Sequence, residues 1–180
     1  RINAETSIFS SGTVDGDGGE INLNASDLNL NNNSLIDSST TGRGNAGQIT
    51  INVANSLKTN QSQISSQSSG SGNSGILNIT ANQFDFTNKT ALSTASFATG
   101  NAGNLNLQAE KVRLTNNSQI NSRSLGSGNG GSIQILTNFL TLNNNTEINV
   151  QTASGNGGNI DLNVLDLFLM SNRSILSAEA

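Results

Sequence analysis

The sequence predicts an all-β chain, a right-handed parallel β-helix (β-solenoid) with three strands per 28-residue coil and about six coils. Three observations predict it. A glycine-rich tetrapeptide recurs at nearly constant spacing, aliphatic residues alternate with polar ones behind each copy, and large apolar side chains are too few for a wide core.

The tetrapeptide is Gly-[Asn/Asp]-small-Gly. Its copies begin at Gly16, Gly44, Gly72, Gly100, Gly128 and Gly155, with spacings of 28, 28, 28, 28 and 27. After each copy comes an alternating pair: Ile21/Leu23, Ile49/Ile51, Leu77/Ile79, Leu105/Leu107, Ile133/Ile135 and Ile160/Leu162. A second pair follows seven residues on: Leu28/Leu30, Phe84/Phe86, Val112/Leu114, Leu140/Leu142 and Leu167/Leu169. A third site holds Ile8, Ile36, Ile64, Leu92, Ile120, Ile148 and Ile175. Period two with aliphatic residues means strands. No repeat buries its apolar side chains alone, so the repeats must stack, each strand about 4.8 Å above its counterpart. Crossovers between parallel strands are almost always right-handed, which sets the expected hand.

Two turn types recur. Asn32, Asn60, Asn88, Asn116 and Asn144 share one turn, with Ser171 in the last coil. Two residues on stands a hydroxyl (Thr6, Ser34, Ser62, Thr90, Ser118, Thr146), with Arg173 breaking the column. Asn tolerates left-handed backbone, and amides stacked in register bond coil to coil. The glycines are expected at the other corner to supply positive φ. Coil two breaks the pattern, with Ser56 and Lys58 at the apolar positions and Leu57 in the outward phase. A bulge there would turn Leu57 inward, and Phe84 and Phe86 would fill the space beside it.

Composition excludes whole classes of chemistry. Among 180 residues there is no Cys, His, Pro, Trp or Tyr; 33% are hydrophobic, 11% charged and 3% aromatic. Without His or Cys there is no usual zinc site, no Cys nucleophile and no Ser-His-Asp triad. A net charge of −4 argues against nucleic acid as a partner. No run of 18 apolar residues is present to span a membrane as a helix. The chain opens inside a repeat, so residues 1–180 read as a single β-helix segment, a fragment of a longer repeat protein.

The runs GNAGNLNLQAEKVRLTNNSQINSRSLGSGNGGSIQIL and GNGGNIDLNV resemble the repeat region of filamentous haemagglutinin-like exoproteins, especially the cyanobacterial type. The likeness extends from Gly16 to Ala180. It implies a segment of a large secreted adhesin, exported by two-partner secretion through an outer-membrane transporter and held at the cell surface. Its partners would be surface glycans of a host or neighbouring cell, or other copies in a filament. The family's secretion domain has no counterpart here.

Other readings rest on particular residues. Polysaccharide-active β-helix enzymes need acidic or basic residues clustered on one lateral face. Here the charges are scattered, and Asp85 and Arg113 are expected to pair on adjacent coils, so no catalytic residues and no cofactor are expected. Asp15, Asp17 and Glu20 crowd one turn and form a weak calcium candidate, but calcium takes six to eight oxygens and the other tetrapeptides carry Asn. Asn-x-Ser/Thr sequons at Asn32, Asn60, Asn78, Asn88, Asn116, Asn144 and Asn172 mostly coincide with the turn ladder. The mixed outward ranks speak against ice binding and leave weak sugar contacts open. Leu136, Phe139, Leu165, Phe168, Met170 and Leu176 fall at phases that are polar in earlier coils, which reads either as a contact patch or as a local shift of the strands. The expected function is a structural and adhesive rod, with a filament or surface-layer subunit and a polysaccharide-active enzyme as alternatives.

Overall fold

A computed structural model describes the backbone of residues 2–4 and the whole of residues 7–13 and 15–180. Thr6 lies outside the described residues. The chain is a parallel β-solenoid, with no helix among the described residues. One seven-stranded sheet is built from β1 (Ile2–Ala4), β3 (Ile21–Leu30), β5 (Ile49–Asn60), β7 (Leu77–Thr87), β9 (Leu105–Thr115), β11 (Ile133–Asn143) and β13 (Ile160–Met170). The other is built from β2 (Ser7–Phe9), β4 (Leu35–Asp37), β6 (Gln63–Ser68), β8 (Ala91–Ser96), β10 (Gln119–Ser124), β12 (Glu147–Thr152) and β14 (Ile175–Glu179). Each strand pairs with its counterpart one coil away, so Ile8, Ile36, Ile64, Leu92, Ile120, Ile148 and Leu176 lie in single file. The last member of that file is Leu176, not Ile175.

The first two alternating segments of each repeat run together as one long strand. Its inward residues are Ile21, Leu23 and Ala25, then Leu28 and Leu30. The step of three between Ala25 and Leu28 reverses the phase within the strand, so a kink replaces the expected turn. The third side of the coil is the glycine segment. It forms no strand, yet its backbone bonds from coil to coil: Ala46 N–H donates to Asn73 O (2.9 Å), Ala102 N–H to Asn129 O (2.9 Å) and Gly130 N–H to Asn156 O (2.9 Å).

None of the glycines has positive φ, which corrects the expectation for that corner. They are required by close approach. A Cβ on Gly72 would lie 1.9 Å from Gly44 O, and one on Gly103 would lie 1.9 Å from Gly75 O. Left-handed backbone sits instead at the asparagine corner, at Asn32/Asn33, Asn88/Lys89, Asn116/Asn117, Asn144/Asn145 and Asn172/Arg173. Asn is the non-glycine residue that adopts this region most readily.

Coil two absorbs its irregularity as expected. The pairing of β5 with β7 shifts between Val53 and Ser56, and Leu57 enters the core in register with Leu28 and Phe84. The extra strand residue is recovered at the next corner, where Gln61 alone is left-handed. Ile64 thereby returns to its file. Thr59 falls between Leu30 and Phe86 in an apolar column, and its buried Oγ1 has no partner. Phe84 and Phe86 stack beside it with ring centroids 5.7 Å apart. Thr59→Val keeps the shape and removes the unpaired hydroxyl. The variant is expected to gain about 1 kcal/mol in denaturant unfolding, read as a raised midpoint at constant slope.

Candidate functional site

The surface is organised as axial columns, each made of one position repeated through the coils. Asn88 Nδ2 donates to Asn60 Oδ1 (2.9 Å), Asn116 Nδ2 to Asn88 Oδ1 (3.1 Å), Asn144 Nδ2 to Asn116 Oδ1 (3.1 Å) and Asn172 Nδ2 to Asn144 Oδ1 (2.9 Å). The last rung is Asn172, where the spacing pointed to Ser171. The 27-residue glycine interval is made good by an irregularity in the β11–β13 pairing between Thr137 and Phe139, so the 28-residue register resumes before the corner. For the same reason the hydroxyl column ends in Ser174, whose Oγ donates to Ser171 O (2.7 Å), as Ser118 Oγ does to Thr115 O (2.7 Å). Arg173 does not interrupt it.

A second ladder stands at the glycine corner. Asn45 Oδ1 accepts from Asn73 N–H (2.9 Å), Asn73 Oδ1 from Asn101 N–H (2.8 Å), Asn101 Oδ1 from Asn129 N–H (2.8 Å) and Asn129 Oδ1 from Asn156 N–H (2.9 Å). Asp17 is its first rung, its Oδ1 accepting from Asn45 N–H at 2.6 Å. The sequence carried the signal, since Asn or Asp is the second residue of every tetrapeptide. Asp17 is thus occupied in the backbone of the next coil, Asp15 faces Arg43 at 3.9 Å, and Glu20 is exposed. Among the described residues no three acidic, His or Cys side chains group as a metal site.

Arg113 is bidentate on Asp85, with Nε to Oδ1 at 3.0 Å and Nη2 to Oδ2 at 2.6 Å. The Ser56 hydroxyl, 3.0 Å from Asp27, holds that carboxyl below its usual range.

The apolar patch divides in two. Phe168 and Met170 lie in register with the buried Leu140 and Leu142, and Leu176 with Ile148. These three belong to the core files and are partly exposed in the last coil. Leu167 and Leu169, expected inside, are the outward pair. Leu136, Leu165, Leu167 and Leu169 are exposed, and the half-buried Phe139 lies under Lys111, whose Nζ is 5.7 Å from the ring centroid. The one-residue recovery beside Thr137 moved the phase.

The outer face of the short-stranded sheet is polar and partly closed. Its central column reads Asp37, Ser65, Ser93, Asn121, Asn149. Asn121 is only 2% exposed although it points away from the core. Longer residues flank the column in three of the coils: Gln63, Gln119 and Glu147 on one side, and Gln67, Arg123 and Gln151 on the other, with Ala91 and Ala95 between them. Asn121 Nδ2 donates to Gln119 Oε1 (3.2 Å) and Asn149 Nδ2 to Glu147 Oε1 (2.7 Å). The two amides therefore bond along their own strands and not to each other. Asn121 Oδ1, Asn149 Oδ1 and Arg123 Nε are left buried without partners. No family model, curated protein or solved structure matches this chain.

Proposed function

We propose that this chain is a rigid, non-catalytic rod segment of a large secreted cell-surface exoprotein, holding an adhesive tip away from the cell. The observation that carries the reading is the unbroken axial bonding. Two parallel sheets run the length of the solenoid, an amide ladder runs from Asn60 to Asn172, and a side-chain-to-backbone ladder runs from Asp17 to Asn156. Such a structure resists bending because each lateral displacement strains several ladders at once. Export by two-partner secretion and residence at the cell surface follow from the resemblance to filamentous haemagglutinin-like exoproteins. The exposed outward side chains Leu136, Leu165, Leu167 and Leu169 favour a second reading, a subunit of an extracellular filament or surface layer.

Duplicating residues 77–132 adds two coils in register. The longer chain is expected to gain about 10 Å in maximum dimension by small-angle scattering, at about 4.8 Å per coil. Displayed beneath an epitope tag, it should carry the tag outward by the same amount. Incubation with polysaccharides should release no reducing ends. A dimension that does not grow, or sugar cleavage, overturns the rod reading; a mass by light scattering that rises with concentration selects the filament.

A further inference from the structure

We infer that the outer face of the short-stranded sheet, around Asn121, Arg123 and Asn149, is a binding site for an extended, neutral, hydroxyl-rich polysaccharide strand. The site is separate from the rod reading, since a rod that binds nothing laterally is still a rod.

Three orphaned atoms mark this face: Asn121 Oδ1, Asn149 Oδ1 and Arg123 Nε. Buried polar groups are almost always paired, and each exception asks for a reason. The same side chain in register does find its neighbour on the long-stranded sheet, where Asn106 Nδ2 donates to Asn78 Oδ1 (2.8 Å). Asn121 and Asn149 are likewise register partners, yet their amides turn to Gln119 and Glu147 instead. Two acceptors and one donor are kept unspent on the same face.

Their chemistry selects the ligand. Two amide oxygens need donors, and the guanidinium Nε needs an acceptor. A hydroxyl supplies both. An anion without hydroxyls has no donor to give the amides. Charge agrees: Arg123 is the one cation of this face between β6 and β12, and Glu147 balances it. The two asparagines stand one coil apart, about 4.8 Å along the axis. Hydroxyls on successive rings of an extended sugar chain recur on a comparable repeat. At the lip of the face Phe97 and Leu125 are exposed on adjacent coils and offer an apolar surface to the C–H side of a ring. At the other edge Gln63 and Ala91 open into a hollow of about 370 Å³ against Asn33, Gln61 and Lys89. That volume lies at the small end of the range for ligand sites. Gln119 and Glu147, half-buried and holding the two amide nitrogens, give way to the ligand.

The test uses cellohexaose as the extended probe and β-cyclodextrin as a closed ring of the same sugar units. Side-chain amide and guanidinium NMR signals are followed on titration. Cellohexaose is expected to shift Asn121, Asn149 and Arg123, while cyclodextrin leaves them unmoved. Asn121→Ser with Arg123→Gln should weaken binding at least about tenfold, because hydrogen bonds to buried and charged groups are lost. Both replacements already occur in these columns, at Ser93 and at Gln67 and Gln151, so the double variant folds. Absence of shifts with cellohexaose, shifts confined to the asparagine corner, equal response to cyclodextrin, or undiminished binding by the double variant each overturns the proposal.

Discussion

Gly103→Ala is expected to cost about 3 kcal/mol or more, while Gly16→Ala should change stability by less than about 0.5 kcal/mol. Both glycines have negative φ, so backbone freedom does not separate them. Space does. A Cβ at position 103 meets Gly75 O at 1.9 Å and Gly75 C at 2.8 Å, and these are backbone atoms held by the coil below. A Cβ at position 16 finds its nearest neighbour at 3.5 Å. Relief at position 103 would require two coils to part, which lengthens the bond from Ser74 N–H to Asn101 O (3.0 Å) that joins them at this corner. Parallel urea titrations decide the matter. Equal midpoints for the two variants would mean that the coils yield freely, and the packing account of the glycine corner would fail.

The second large effect separates the two ladders. Asn116 both donates, to Asn88, and accepts, from Asn144. An aspartate there cannot donate while ionised, and Asn116→Asp is expected to cost about 1–2 kcal/mol at neutral pH. Protonation returns a donor O–H in the folded state, so the folded carboxyl titrates above its unfolded value. The penalty is therefore present above that range and shrinks as the pH falls through it. At the other corner the side chain need only accept. Asn101 Oδ1 takes the Asn129 N–H, a task that Asp17 already performs as a carboxylate. Asn101→Asp should lie within about 0.5 kcal/mol of the parent at neutral pH. Thermal melts at pH 7 and pH 4 read both variants. Equal losses at pH 7 would show that direction of donation does not matter in these columns.

Much of this architecture is legible in the sequence, because a solenoid converts sequence period directly into spatial neighbourhood. The file of Ile36, Ile64, Leu92, Ile120 and Ile148 follows from spacing alone. So does the pairing of Asp85 with Arg113, and the inward turn of Leu57 followed from the failure of the pattern around it. What spacing does not show is where a residue gained in one segment is given back. The 27-residue interval before Gly155 shifted Leu167, Leu169, Ser171 and Arg173 by one place in a count made from the glycines, while the bulge near Thr137 restored the register upstream of them. The role of the glycines was hidden for another reason. Tolerance of positive φ and absence of a Cβ select the same residue, and only the coil above tells which is in use. The polar face around Asn121 was illegible because its significance lies in bonds that are not made.

The compensation in coil two also says how such a chain tolerates change in length. One residue enters between Val53 and Ser56 and one is withdrawn at Gln61, so Ile64 never leaves its place. Insertions and deletions in this architecture are harmless as matched pairs within a single circuit and ruinous singly, since an unmatched one rotates every later side chain about the axis. Gene lengths that differ by whole multiples of the period, with small errors cancelled locally, are the record such a constraint leaves.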